Sequence, residues 1–247
     1  MTKYIKTDAI ILKYFKYGEL NRLFTFISPT IGIEQATAFG AEKTKSRFCA
    51  AVQPFTKSEL LLNRNPKNNL LKLEEINNVD TNSFIRTDIR YIYLASFYSD
   101  ILLNSYIAVN EAKSYFYLIS YSLDMIINST NLYRSFLFFS IKYIYLSGYI
   151  YSFDKCKECG NIDDIYYFDL NDNSFLCSSC SKYKNYPLSK EGAMLLSLFF
   201  KEKYIYLKDV DVDKKYFDEI RVIINLIFRN IFNKKLKSFE LLNQVFL

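Results

Sequence analysis

The stretch "YIKTDAIILKYFKYGELNRLFTFISPTIGIEQATAF", residues 4 to 39, decides the fold class. It reads as "YIKTDAIILKYFKY" followed by "NRLFTFISPTIGIEQATAF", in which Ser28-Pro29-Thr30-Ile31-Gly32 supplies a turn between two apolar runs. Downstream, "GAEKTKSRFCAAVQPF" precedes "SELLLNRNPKNNLLKLEEI", two further strands joined through Asn-Arg-Asn-Pro-Lys-Asn-Asn. Five short strands before residue 81 predict a small closed barrel. From Ser83 the period changes: Ile85, Ile89, Ile92, Leu94, Phe97, Ile101 and Leu102 recur near helical spacing, and helical stretches follow at 111 to 128 and 131 to 150. "SKEGAMLLSLFFKEK", with Ser189 as N-cap, and "KKYFDEIRVIINLIFRNIFNKKLKS" resume helix near the C-terminus. The expectation is an α+β chain: a barrel domain over 1–80 and a helical bundle domain over 81–247.

A chain of 247 residues has ample length for a small module joined to a larger one. Its formal charge of +6 is uneven: residues 1 to 80 hold 12 basic against 8 acidic side chains, and the rest of the chain is nearly balanced. Such a bias favours a polyanionic partner through counterion release. The 22 Tyr and 22 Phe, beside many Ile, Asn and Lys, resemble the codon drift of an AT-rich genome, so arginine positions are more telling than lysine number. No apolar run near the N-terminus has signal-peptide length. "SFLFFSIKYIYLSGYIYSF", residues 135 to 153, approaches membrane length but carries Lys142 mid-run and reads as a buried bundle helix. Asn128-Ser129-Thr130 is then a chance match to a glycosylation acceptor, and a cytoplasmic location follows.

Within the helical half, "KCKECGNIDDIYYFDLNDNSFLCSSC", residues 155 to 180, carries two C-x-x-C pairs with seventeen residues between them. Two such turns each present a pair of soft sulfurs to one tetrahedral ion, and a hairpin of "IYYFDL" and "SFL" closes the site. Cys156, Cys159, Cys177 and Cys180 are therefore expected to hold one structural zinc per chain in a ribbon inserted at about 155–182. Iron held in the same way, or four free thiols, are the alternatives. Gly160 after Cys159 suits the knuckle turn. Asp169-x-Asn171-x-Asn173 fails as a calcium loop, because Ser174 and Cys180 stand where Gly and Glu are needed, and reads as the hairpin turn. Four thiolates leave no open coordination position, so the ribbon is a clip rather than a catalytic centre.

No other segment argues for an enzyme. The chain has no histidine, which excludes Ser-His-Asp triads and His-ligated metals, and none of its six glycines falls in a phosphate-cradling loop. Asp163-Asp164 reads as a solvated face, and Cys49 as a small core residue. The barrel instead interleaves Arg22, Lys43, Lys45, Arg47 and Lys57 with Phe24, Phe26, Phe39, Phe48 and Phe55. Cations that neutralise phosphates beside aromatic faces that stack bases suit single-stranded nucleic acid. Phe24 and Phe26, in a wholly apolar run, are assigned to the core.

Three stretches together, "TDAIILKYFKYGELNRLFTFISPTIG", "FGAEKTKSRFCAAVQPF" with its Gln53-Pro54, and "KLKSFELL", resemble the RecO family of bacterial DNA repair and recombination mediators. The resemblance implies an OB-fold barrel, a helical bundle with an inserted zinc ribbon and no catalysis. It further implies binding of single- and double-stranded DNA, annealing of complementary strands, and action with RecR. Contact with the C-terminal tail of single-strand binding protein, help in loading RecA, and nucleoid association follow from it as well. An acidic, Phe-ended tail needs a cation beside an apolar pocket, and Arg86, Arg90, Arg134 and Lys142 are the available ones. Ile33, Phe39 and Glu42 depart from places that are commonly basic in the family. The competing readings are an RNA-binding or transcription-associated zinc-ribbon protein, against which the lack of a basic excess in the ribbon counts, and a protein-only adaptor.

Overall fold

The computed structural model describes residues 3–43, 45–128, 131–149, 153, 155–234 and 236–246. Thr44 of the basic loop, and Ser129 and Thr130 of the glycosylation match, lie outside the described residues. The chain forms two compact units, Met1–Ile127 and Asn128–Leu247.

In the first unit β1 (Lys3–Tyr17), β2 (Asn21–Ser28), β3 (Gly32–Ala38), β4 (Lys57–Arg64) and β5 (Leu71–Asp80) close into a barrel in the order β1-β2-β3-β5-β4. Closure is possible because β1 is long enough to pair with β2 through its second half and with β4 through its first. A register shift between Ile11 and Lys13 bends the strand where one partner gives way to the other. β3 and β5 are parallel neighbours, paired at Ala36 with Leu71. Alternation sends Ala9, Ile11, Phe24, Phe26, Leu60, Leu62, Leu71 and Leu73 into the barrel, where small Ala36 and Ala38 make room for the two phenylalanines. The barrel is the OB-like one that the resemblance implies, and Phe24 and Phe26 are core residues with no exposed surface.

Between β3 and β4 the chain makes a turn and a short helix, α1 (Arg47–Ala51). A 3-10 turn at Ser83–Thr87 leads into α2 (Ile89–Leu103), and α3 (Ala112–Asn128) completes this unit. Ile10 and Leu12, on the outer face of β1, are also buried, and Leu12 meets Ile92 and Leu103 of α2 around one small cleft.

The second unit begins with α4 (Leu132–Leu146), whose Phe136, Leu137, Phe139, Ile141 and Ile144 are all buried. Among the described residues no helix is long and apolar enough to cross a membrane. β6 (Ile165–Asp169), β7 (Ser174–Cys177) and β8 (Pro187–Ser189) form a three-stranded sheet with β6 in the centre. The β6–β7 turn runs through Asn173 in the left-handed region, which asparagine tolerates, so the Asp-Asn-Asn pattern is a hairpin turn. Ser189 then caps α5 (Lys190–Lys201), its hydroxyl accepting from the Gly192 amide. α6 (Tyr204–Leu207), α7 (Lys214–Phe232) and α8 (Lys237–Val245) follow. An aromatic cluster of Phe136, Phe217, Phe228 and Phe239 packs edge-to-face between these helices and α4.

Candidate nucleic-acid interface and metal centre

The basic loop after β3 is built on Gly40, whose φ of +70° turns the chain at little cost, and on the Asn21 side chain, which accepts from the Gly40 amide at 2.9 Å. Backbone bonds from Lys43 to Gly40 and from Ser46 to Lys43 coil the segment, and the Ser46 hydroxyl caps α1. Lys43, Lys45 and Arg47 all stand exposed. Arg47 donates to the Glu74 carbonyl at 2.8 Å and lies 4.9 Å over the Phe48 ring. Lys72 lies 5.9 Å over the half-exposed ring of Phe39.

Arg22, unlike these three, is turned inward. It is 4% exposed, and its guanidinium bonds Glu42, the Cys49 carbonyl at 2.6 Å and the Val52 carbonyl at 3.0 Å, while stacking 4.3 Å over Tyr14. The Arg22 hydrogen bond, against a smaller opposing effect of burial, holds the Glu42 carboxyl below the usual range. Glu42 is thus the counterion of a buried arginine. A signal for this was present: Arg22 lies two and four residues before Phe24 and Phe26, on the face that period-two alternation turns inward. Cys49, expected in the core, sits half-exposed on α1, its sulfur 3.8 Å from the Arg22 guanidinium.

Lys57 does not join the loop. Its amine donates to Ser120 of α3 at 2.9 Å, close to Asp124, whose carboxyl is raised by burial with Lys57 opposing. The four cations considered for an acidic tail are likewise engaged. Arg86 donates to the Thr81 and Pro54 carbonyls, and Arg90 pairs with Asp88, the cap of its own helix. Arg134 donates to the Val210 carbonyl at 2.8 Å, and Lys142 to the Phe200 carbonyl at 2.8 Å. Burial lowers the Lys142 amine to about 8.

Cys156, Cys159, Cys177 and Cys180 meet with all four sulfurs within 4.8 Å of one another. The first knuckle turns on Gly160, at φ +74°, whose amide donates to the Cys156 carbonyl at 2.9 Å. In the second, the amides of Cys180 and Ser181 both donate to the Cys177 carbonyl. Burial raises the Cys156 thiol, but amides of Cys159, Cys177 and Glu158 outweigh it and bring the group to about 6; the Cys177 and Cys159 sulfurs push Cys180 up to about 12. Four thiolates so close together repel unless a cation replaces their protons. A thiolate-bound zinc has bonds of about 2.3 Å, which puts tetrahedral sulfurs roughly 3.8 Å apart. Cys159 and Cys177 sulfurs are 3.7 Å apart, so the donor set fits a closed tetrahedral metal site.

Asp163, expected to be solvated, braces this centre. Its carboxylate accepts from the Ser178 amide at 2.8 Å and hydroxyl at 2.6 Å, and these bonds lower it. The pairing spans fifteen residues, and neither residue type marks it in a single sequence.

The chain matches the family model for the N-terminal region of recombination protein O over residues 1–82 and that for its C-terminal region over 86–240. It is 27% identical to the DNA repair protein RecO of Bacillus pumilus, over 98% of this chain and 94% of that protein. It is 26% identical to that of Clostridium novyi, over 96% of this chain and 93% of the relative. With a five-stranded OB-like barrel, a helical region, a four-cysteine cluster and two family models spanning nearly its whole length, the chain belongs to the RecO family of DNA repair proteins.

Proposed function

We propose that the protein is a non-catalytic recombination mediator that binds single- and double-stranded DNA through its barrel and anneals complementary strands. On this reading it acts with RecR, meets the C-terminal tail of single-strand binding protein and helps load RecA. The observation that carries it is the loop from Phe39 to Arg47. Three exposed cations and an exposed aromatic ring stand on one connection, and the pair of buried Arg22 with partly exposed Glu42 anchors that connection to β2. A braced cationic loop has already lost much of the freedom it would otherwise lose on meeting a phosphate backbone. Lys43, Lys45 and Arg47 are the proposed phosphate contacts, with Arg22 as the residue that positions them. Lys57 supports α3 and is outside this set. For the acidic tail, Arg90 is the best placed of the four cations, since its side chain remains 56% exposed and pairs only locally. The metal proposed for the cysteine cage is one zinc per chain.

The test is annealing of complementary strands by the purified protein, alone and coated with single-strand binding protein. Acceleration in both settings supports the mediator reading. Binding without acceleration leaves a DNA-binding protein of another kind, and a preference for RNA strands would favour the RNA-binding alternative.

A further inference from the structure

Beside the metal knuckles lies a cleft of about 680 Å³, bordered by Glu158, Phe168, Asp169, Asn171, Tyr183 and Asn185 among others. Its size falls in the range of roughly 300–1,000 Å³ usual for small-molecule sites. One wall is the connection from Cys180 to β8, "SKYKNYP", in which Lys182 and Lys184 flank Tyr183. Lys184 and Tyr186 both hold left-handed backbone, at φ +48° and +50°, a conformation that bulky side chains avoid. The Ser181 hydroxyl, accepting from the Lys184 amide, and the Tyr186 carbonyl, accepting from the Phe168 amide, pin the segment on both sides. Tyr183 is left on its crest, 82% exposed.

We propose that this cleft is a nucleobase site: it takes one unpaired base of a DNA strand, stacked on Tyr183, and prefers bases that carry an exocyclic amine. The inference rests on the reading that DNA is this protein's ligand and adds a second, base-directed contact to the phosphate-directed one on the barrel. The wall chemistry selects the occupant. Glu158 and Asp169 repel a phosphate but accept from an amine such as cytosine N4. Asp169 already accepts from the Asn171 amide through one oxygen, whereas the Glu158 carboxylate has no protein partner among the described residues and is the main acceptor. Asn171 and Asn185 each offer a donor and an acceptor to a base edge. Lys182, also on the border, and the exposed Lys184 beside it suit the flanking backbone. An aromatic side chain of a peptide would fill the apolar part but leave most of these polar groups unmatched. The near balance of charge across the ribbon, which disfavours binding led by phosphates, is what a site for a neutral ring with polar edges requires.

Affinity of the full chain for a deoxycytidine homo-oligomer, against deoxyuridine and thymidine homo-oligomers of equal length, tests this. Cytosine presents an amine at position 4 where uracil and thymine present a carbonyl, with N3 reversed from acceptor to donor, and the uracil strand removes the thymine methyl as a cause. We expect deoxycytidine to bind at least about fivefold more tightly. E158Q, whose amide can also donate to uracil or thymine O4, should bring the ratio towards one, and Y183A should weaken every strand by about fivefold or more. Tyr183 is solvent-exposed, so its loss leaves the fold intact. Equal affinity for the deoxycytidine and deoxyuridine strands in the parent, or a ratio that survives E158Q, overturns the proposal while leaving the barrel reading standing. Loss of binding to every strand in the parent overturns both. NMR shifts around Tyr183 on adding N-acetyl-tyrosinamide but not deoxycytidine monophosphate would make the occupant a peptide aromatic and also defeat it.

Discussion

Arg22 and Lys43 are both basic and both lie near the same loop, yet burial gives them opposite jobs. Taking a guanidinium out of water is tolerable only when its donors are matched, and Arg22 finds Glu42 and two carbonyls. R22A leaves the buried Val52 carbonyl without its side-chain donor, Glu42 with only the long 3.8 Å pair to exposed Lys16, and the Cys49 carbonyl with Gln53 alone. We expect it to lower the melting temperature by about 5 °C or more and to weaken DNA binding through loss of loop order. R22K, with a single ammonium in place of the planar fork, should restore little of either. By contrast, K43A, K45A and R47A combined should lower melting far less than R22A, since all three side chains are exposed and the Arg47 bond to the Glu74 carbonyl lies at the surface. In that variant the log–log salt slope on single strands should shrink by about two units. An unchanged slope would remove the loop from the DNA contact.

At the scale of elements, the ribbon and α4 show how much each depends on what packs around it. A short three-stranded sheet has too little core to hold itself, so the binding energy of the proposed zinc would go into ordering it. Replacing Cys177 and Cys180 by serine should release about one zinc per chain, read by atomic emission, and lower thermal stability. In α4, Lys142 is held below its ordinary range by burial, to about 8. A lysine whose folded pKa is depressed is protonated more readily in the unfolded chain, so folding there costs protons. Stability should therefore rise between pH 8 and 10.5, and K142M should flatten that rise in urea titrations. A parallel rise in parent and variant would assign it to other groups.

For the whole molecule the prediction is a division of labour. The barrel's strands all precede residue 81, and the cysteine cage lies wholly in the second compact unit. The Cys177/Cys180 double serine variant should consequently keep most of its phosphate-led affinity, with an unchanged salt slope, while its discrimination between deoxycytidine and thymidine strands disappears with the order of the Cys180–β8 connection. Loss of all DNA binding in a variant that still melts like the parent would make the ribbon the principal binding surface and reverse this assignment.

Much of the architecture was legible without coordinates because it rests on local periodicity. Alternation before residue 81 specified a barrel, helical spacing from Ser83 specified a helical region, and two C-x-x-C pairs specified a four-cysteine cluster; that the helices before Asn128 group with the barrel was not legible. These patterns repeat within a few residues and need no partner to be recognised. The roles of individual charges were not legible in that way, although the inward placement of Arg22 could have been read from Phe24 and Phe26. That Glu42 neutralises Arg22, that Lys57 serves Ser120, that Asp163 holds Ser178 and that a cleft opens beside Cys180 all depend on pairs of residues 15 to 63 positions apart or on a wall gathered from several turns. Whether a cation faces solvent or a buried acceptor is set by desolvation and by which distant groups folding brings within hydrogen-bond reach, and only the tertiary structure decides that.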